Sequence, residues 1–129
     1  MKKIIESAHA PKAVGPYSQA VEANGTLYIS GQLPIDPATG KFAEGGVAGQ
    51  TAQCLKNIGA ILADAGYDYS HVVKSTVLLA DMDGFAAMNK AYAQFYAEPY
   101  PARVAYQVAK LPMGAQVEIE TIAVRIKNY

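Results

Sequence analysis

Arg103 lies in Pro101-Ala102-Arg103-Val104-Ala105-Tyr106-Gln107-Val108, a run that otherwise reads as a buried β-strand. Side chains alternate across a strand, so Ala102, Val104, Tyr106 and Val108 point one way and are expected to build core. Arg103, Ala105, Gln107 and Ala109 point the other way, and the small neighbours leave room beside the guanidinium. An unpaired buried guanidinium costs about 3–5 kcal/mol, so an anion is expected to meet it. A planar carboxylate matches its fork of donors best. The alternative is an exposed edge strand carrying a solvated arginine. Glu118 and Glu120, two residues apart on a later strand, share one face. If that strand meets the Arg103 strand through the turn at 110–115, a carboxylate comes beside the guanidinium. The pair is then either a structural salt bridge or an anion anchor with a general acid/base. Spacing alone leaves both open.

The elements that must position these groups follow from local pattern. Residues 18–22 and 27–30 read as short strands joined by Ala23-Asn24-Gly25-Thr26, whose Asn-Gly pair signals a hairpin. Asp36-Pro37-Ala38-Thr39-Gly40 reads as a turn. A phosphate loop at Gly40-Lys41 is rejected, since Ile35 and Phe42 stand where glycine and Ser/Thr are required. Over 47–65, Val47, Cys54, Leu55, Ile58, Ile61, Leu62 and Ala65 recur at helical spacing, and Gly66 supplies the stop. Cys54 falls in that stripe and is read as core. A strand over 72–79 follows, then a helix over 84–96 capped by Asp83. Phe85, Met88, Tyr92 and Phe95 form its buried stripe, with Asn89 at the margin. Pro99 and Pro101 end it. Leu111-Pro112-Met113-Gly114 turns the chain, and 116–126 closes it as a long strand.

Strands, helix, strand, helix and two strands describe a two-layer α+β domain, both helices on one face of a single sheet. The last strand carries apolar residues on both faces, so the uncovered face needs a second cover. Other copies of the chain are expected to provide it, making a homo-oligomer.

The 129 residues fit one domain with no visible boundary over 1–129. Eleven basic and eleven acidic residues cancel, which argues against a protein built mainly to grip phosphate backbones. No signal-peptide core or membrane-length stretch is expected, and a single cysteine makes no internal disulfide; a cytoplasmic location is inferred. His9 and His71 lack metal-ligand spacing, so no metal is expected.

Gly15-Pro16-Tyr17-Ser18-Gln19-Ala20, Tyr28-Ile29-Ser30-Gly31-Gln32-Leu33-Pro34, the Arg103 run, Leu111-Pro112 and Val117-Glu118-Ile119-Glu120-Thr121-Ile122-Ala123-Val124 resemble the Rid family of reactive intermediate deaminases, also called YjgF-type proteins. The match spans essentially the whole chain, with its motifs in order. The resemblance implies a cofactor-free homotrimer of chorismate-mutase-like α+β subunits, with sheets packed around a central axis and three intersubunit clefts. It also implies hydrolysis of enamine/imine intermediates, chiefly 2-aminoacrylate released by pyridoxal-phosphate enzymes, to 2-keto acids and ammonia.

Carried onto this chain, the resemblance makes Arg103 the carboxylate-binding arginine and Glu118 the acidic residue beside the attacking water. Tyr17, Ser30, Gly31 and Asn89 match cleft-lining positions. Some members carry a cysteine two residues after the arginine; Ala105 stands there, leaving its backbone N–H for a substrate carboxylate. The Glu98-Pro99-Tyr100 stretch is shorter than in some bacterial members. For Tyr17, Ser30 and Asn89 a structural role stands beside substrate contact, and Glu120 reads as a contact or surface carboxylate. Two rival functions remain: a non-catalytic 2-keto acid sensor using the same arginine, and a ribonuclease-type translation inhibitor, against which the charge balance weighs.

Overall fold

Two strand–helix–strand crossovers organise the chain and explain where its layers lie. The structure, a computed structural model, describes residues 1–125. Its strands are β1 (Lys3–Ile5), β2 (Ala20–Ala23), β3 (Thr26–Gln32), β4 (Val72–Leu79), β5 (Ala102–Gln107) and β6 (Val117–Val124). Its helices are α1 (Gly46–Asp64) and α2 (Phe85–Tyr92). The sheet runs β1-β2-β3-β6-β4-β5, with β4 and β5 parallel and the other neighbours antiparallel. β3 and β4 both oppose β6, so they run the same way. The crossovers β3-α1-β4 and β4-α2-β5 therefore step in one direction. Right-handed connections of that kind place both helices on the same face, and α1 packs against α2.

Local chemistry sets the elements. Asn24 and Gly25 take positive φ angles of 52° and 77°, as a tight hairpin demands, and Ala23 pairs with Thr26 across it. The α1 stripe of Cys54, Leu55, Ile58, Ile61 and Leu62 is wholly buried. Val77 and Leu79 of β4 and Val117 and Ile119 of β6 meet it to form the core. The Cys54 thiol donates to the Val117 carbonyl oxygen, and burial pushes its pKa up, so it is a core residue.

Four expectations are corrected. The short strand β1 pairs with β2 where none was expected. Asp81, not Asp83, supplies the cap before α2: its side chain accepts from the Asp83 N–H at 2.8 Å, beginning a 3-10 turn over Met82–Gly84. The helix ends at Tyr92, so Phe95 and Tyr96 lie beyond it. The faces of β5 are reversed: Ala102, Val104 and Tyr106 are exposed on the sheet face away from the helices, while Ala105 packs against the core. β6 is described to Val124, and Ile126 of the expected final strand lies outside the described residues.

Among the described residues nothing covers the face opposite the helices. Tyr28 is 50% exposed, Val104 41% and Tyr106 47%, with Ile122 partly buried between β3 and β4. Large exposed side chains gathered on one sheet face are the mark of an association surface.

Candidate active site

Arg103 stands on β5, at the edge of the sheet, paired laterally with buried Ser75 of β4. It therefore points toward the helix layer. Phe85, Asn89 and Tyr92, spaced four and three along α2, share a stripe and receive it. Its Nη1 donates to Asn89 Oδ1 at 2.7 Å. Its guanidinium carbon lies 4.8 Å from the Tyr92 ring centroid and 5.7 Å from that of Phe85. Among the described residues no carboxylate pairs with it; the one ion pair found joins His71 to Asp68. The other donors of the fork are thus left for something outside this chain. Ala105, two residues on, shares this face, on a strand whose outer backbone edge has no neighbour. Glu98, Pro99 and Tyr100, leading in from α2, are exposed.

A second group assembles elsewhere. A cavity of about 620 Å³ is lined by Tyr17, Ser30, Gly31, Glu118 and Glu120, with Met113 at its side. Between Ile29 and Gln32 the β3–β6 pairing slips: three steps on β3 oppose two on β6. Such a bulge re-aims the chain, and here it lays Gly31 against the Glu118 side chain. A Cβ on Gly31 would come within 3.0 Å of the Glu118 Cδ and nearer still to its Oε2. Glycine is what lets the carboxylate lie there. Ser30 Oγ donates to the Ser18 carbonyl at 2.6 Å, leaving its oxygen free to accept. Tyr17 accepts from the Val14 N–H at 3.2 Å, leaving its own hydrogen to donate. Glu118 is half-buried, and burial, reinforced by the Glu120 charge, holds its carboxyl above the ordinary value.

These two groups do not meet within one chain. β4 lies between β5 and β6, so the expected approach through the turn at 110–115 does not occur. Arg103 is level with Thr121, and Glu118 lies three residues away along β6. Strand spacing and rise then place their Cα atoms roughly 14 Å apart. Moreover, Glu118 is level with Leu78 and projects from the uncovered face, whereas Arg103 points at the helices. The sheet itself separates guanidinium from carboxylate.

Two buried amides that sequence reasoning overlooked hold the cavity wall. Gln19 Oε1 accepts from the Ser7 N–H at 2.6 Å, and its Nε2 donates to the Pro11 carbonyl at 2.7 Å. Asn57 of α1 donates to the Leu33 and Ile35 carbonyls at 3.1 and 2.9 Å, fixing the segment after the bulge. An amide interrupting an apolar helical stripe was the available signal for Asn57. Among the described residues no cluster of three His, Cys, Asp or Glu side chains is assembled to hold a metal ion, and no helix is long and apolar enough to cross a membrane.

Comparison with known proteins gives this geometry a context. The family model for endoribonuclease L-PSP matches residues 7–125. A Bos taurus protein named 2-iminobutanoate/2-iminopropanoate deaminase is 56% identical over 125 residues, 97% of this chain and 91% of the relative. The crystal structure of RidA from an Antarctic Psychrobacter superposes with a TM-score of 0.91 at 47% identity, covering 95% of this chain and 99% of that one. Escherichia coli TdcF, crystallised with bound serine, gives 0.91 at 42% identity over 96% and 99%. On this agreement of family model, sequence and α+β fold, the chain belongs to the endoribonuclease L-PSP family, the YjgF or Rid proteins.

Proposed function

We propose that this protein is a 2-iminobutanoate/2-iminopropanoate deaminase. It acts as a single-domain subunit of a cytoplasmic homotrimer, hydrolysing small imino acids to 2-keto acids and ammonia. The observation that carries the reading is Arg103: a guanidinium seated by α2, paired with no carboxylate among the described residues. The deaminase names of relatives at 50–56% identity supply the reaction class, and a fold neighbour crystallised with bound serine offers a small ligand that carries a carboxylate.

The separated groups ask for a second copy. When the uncovered face of one subunit packs beside the β5 edge of the next, Glu118 from one and Arg103 from the other border a single cleft. Arg103 grips the substrate carboxylate through its two-donor fork and so orients the C=N carbon. Asn89 fixes the guanidinium, and the Ala105 N–H, Ser30 oxygen and Tyr17 hydroxyl complete the pocket. Gly31 keeps space for Glu118, which takes a proton from water as the water oxygen bonds to the imine carbon. The tetrahedral carbinolamine then receives that proton on nitrogen. The hydroxyl proton then passes through Glu118 to the nitrogen, the C–N bond breaks, ammonia leaves and the carbonyl of the 2-keto acid forms. A carboxyl held above its ordinary value is a stronger base than a free one once ionised. Positioning and acid–base help of about 10²–10⁴-fold suffice for an imine, which is already electrophilic.

The test couples a serine or threonine dehydratase to the purified protein and follows keto-acid release. Faster release than without protein is expected, lost in Arg103→Ala and poor in Arg103→Lys, whose point charge cannot reproduce the fork. Unchanged release together with keto-acid binding would mark a sensor instead. Cleavage of RNA abolished by the same variants would mark a ribonuclease, against the balanced charge.

A further inference from the structure

Behind Arg103 lies a set of buried groups that the reaction does not use. Ser75 is level with Arg103 on one side and with Thr121 on the other, so the three form a row across β5, β4 and β6 facing the helices. Ser75 and Thr121 are 0% and 1% exposed, and Tyr92 and Tyr96 are buried with them. The two tyrosine rings lie 4.7 Å apart. None of the four hydroxyls has a hydrogen-bond partner. Burial raises both phenols, and the nearby Ser75 hydroxyl lowers both in part, as Thr121 does Tyr96. Unpaired hydroxyls in a core are costly, and apolar side chains of the same shape would avoid the cost.

Tyr92 belongs to both this cluster and the arginine's surroundings, its ring 4.8 Å from the guanidinium carbon. Asn89 restrains only one nitrogen of the fork. A long, partly exposed side chain held by a single hydrogen bond still turns about it, and the ring removes that freedom. We propose that Tyr92 is a positioning residue: its ring, 4.8 Å from the guanidinium carbon, seats the Arg103 side chain. This deepens the reading of Arg103 as the carboxylate anchor and rests on it.

Three variants separate the roles. Tyr92→Leu removes the seat and is expected to raise KM and the keto-acid Kd about 3- to 30-fold, with a smaller change in kcat. Tyr92→Phe keeps the ring and restores most of that loss. Tyr96→Leu damages the same cluster without touching Arg103, and lowers Tm with KM unchanged. An unaltered KM in Tyr92→Leu, or an equal rise in Tyr96→Leu, overturns the proposal. A second measurement is independent of catalysis. In the unliganded protein the Arg103 Nε–H resonance carries a ring-current shift that survives Tyr92→Phe and Tyr96→Leu and falls in Tyr92→Leu to the smaller share left by the Phe85 ring. No such shift in the wild type overturns the seat. The shift present without any imine hydrolysis or keto-acid binding overturns only the anchor reading.

Discussion

Mixing two inactive variants tests the shared cleft directly. Arg103→Ala retains Glu118, and Glu118→Gln retains Arg103. In one chain these positions lie across the sheet from each other, with β4 between their strands, so neither variant can repair itself. In the proposed cyclic trimer each cleft would draw its guanidinium from one subunit and its carboxylate from the next. With equal pools assembled at random, each required subunit is present with a chance of one half. Intact clefts then make up about one quarter of the total. Co-expression with two different affinity tags, isolation of mixed trimers and the coupled dehydratase assay read this as about one third, because every mixed trimer carries one intact cleft of its three. Equal mixing of wild type with the double variant Arg103→Ala/Glu118→Gln gives a second reading. About one quarter of clefts remain intact if they are shared, and about one half if each lies within one chain. Mixed trimers with no recovery, together with half activity in the second mixture, would refute the reasoning.

Three further outcomes follow from the same geometry. Gly31→Ala adds a methyl against Glu118, and φ at Gly31 permits alanine, so the side chain shifts while the fold stands; kcat is expected to fall about 10- to 100-fold with keto-acid affinity retained, and equal loss of both would show a blocked pocket instead. Val104→Asp with Tyr106→Asp places charge on the uncovered face and should yield monomers by light scattering, inactive although folded by circular dichroism; active monomers would defeat the shared site. In that monomeric background Glu118 titrates above its unfolded value, so the native state binds the proton more readily and stability falls as pH rises through the interval from about 4.3 up to the folded pKa. Glu118→Gln then raises Tm at pH 7 and not at pH 3; a Tm gain that does not vanish on acidification would contradict the sign.

Elements with a period or a turn signature were legible in the sequence. Asn24-Gly25, the α1 stripe and the strand over 72–79 each announce themselves locally. β1 does not, because three residues with a single buried side chain show no alternation. The end of α2 was misplaced because Phe95 and Tyr96 continue the helical spacing while packing from the turn beyond it. The faces of β5 were reversed because both faces of this sheet carry apolar residues, so alternation marks two sides without saying which meets the helices. The separation of Arg103 from Glu118 was illegible for a non-local reason. Consecutive strands usually neighbour each other, but the segment after β5 passes β4, with the Val108 N–H donating to Leu79 and the Ala80 N–H to Gln116, before β6 inserts between β3 and β4.

That insertion explains why the chain carries two incomplete sites. β6 completes the sheet by filling the gap left between β3 and β4, and its alternation commits Val117, Ile119, Thr121 and Ala123 to the core. Glu118 and Glu120 must then face the uncovered side, whatever chemistry they perform. Arg103, on the edge strand, is turned toward α2 by the same alternation, because Ala105 is needed inward. Shifting β6 by one residue would bring Glu118 and Glu120 into the core and expose Val117 and Ile119. A guanidinium and a carboxylate fixed to opposite faces in this way cannot neutralise each other as an internal salt bridge. Each stays available, and in the proposed trimer a small anionic substrate would meet both where one subunit's face borders another's edge. On that reading folding keeps the pair apart and assembly joins it.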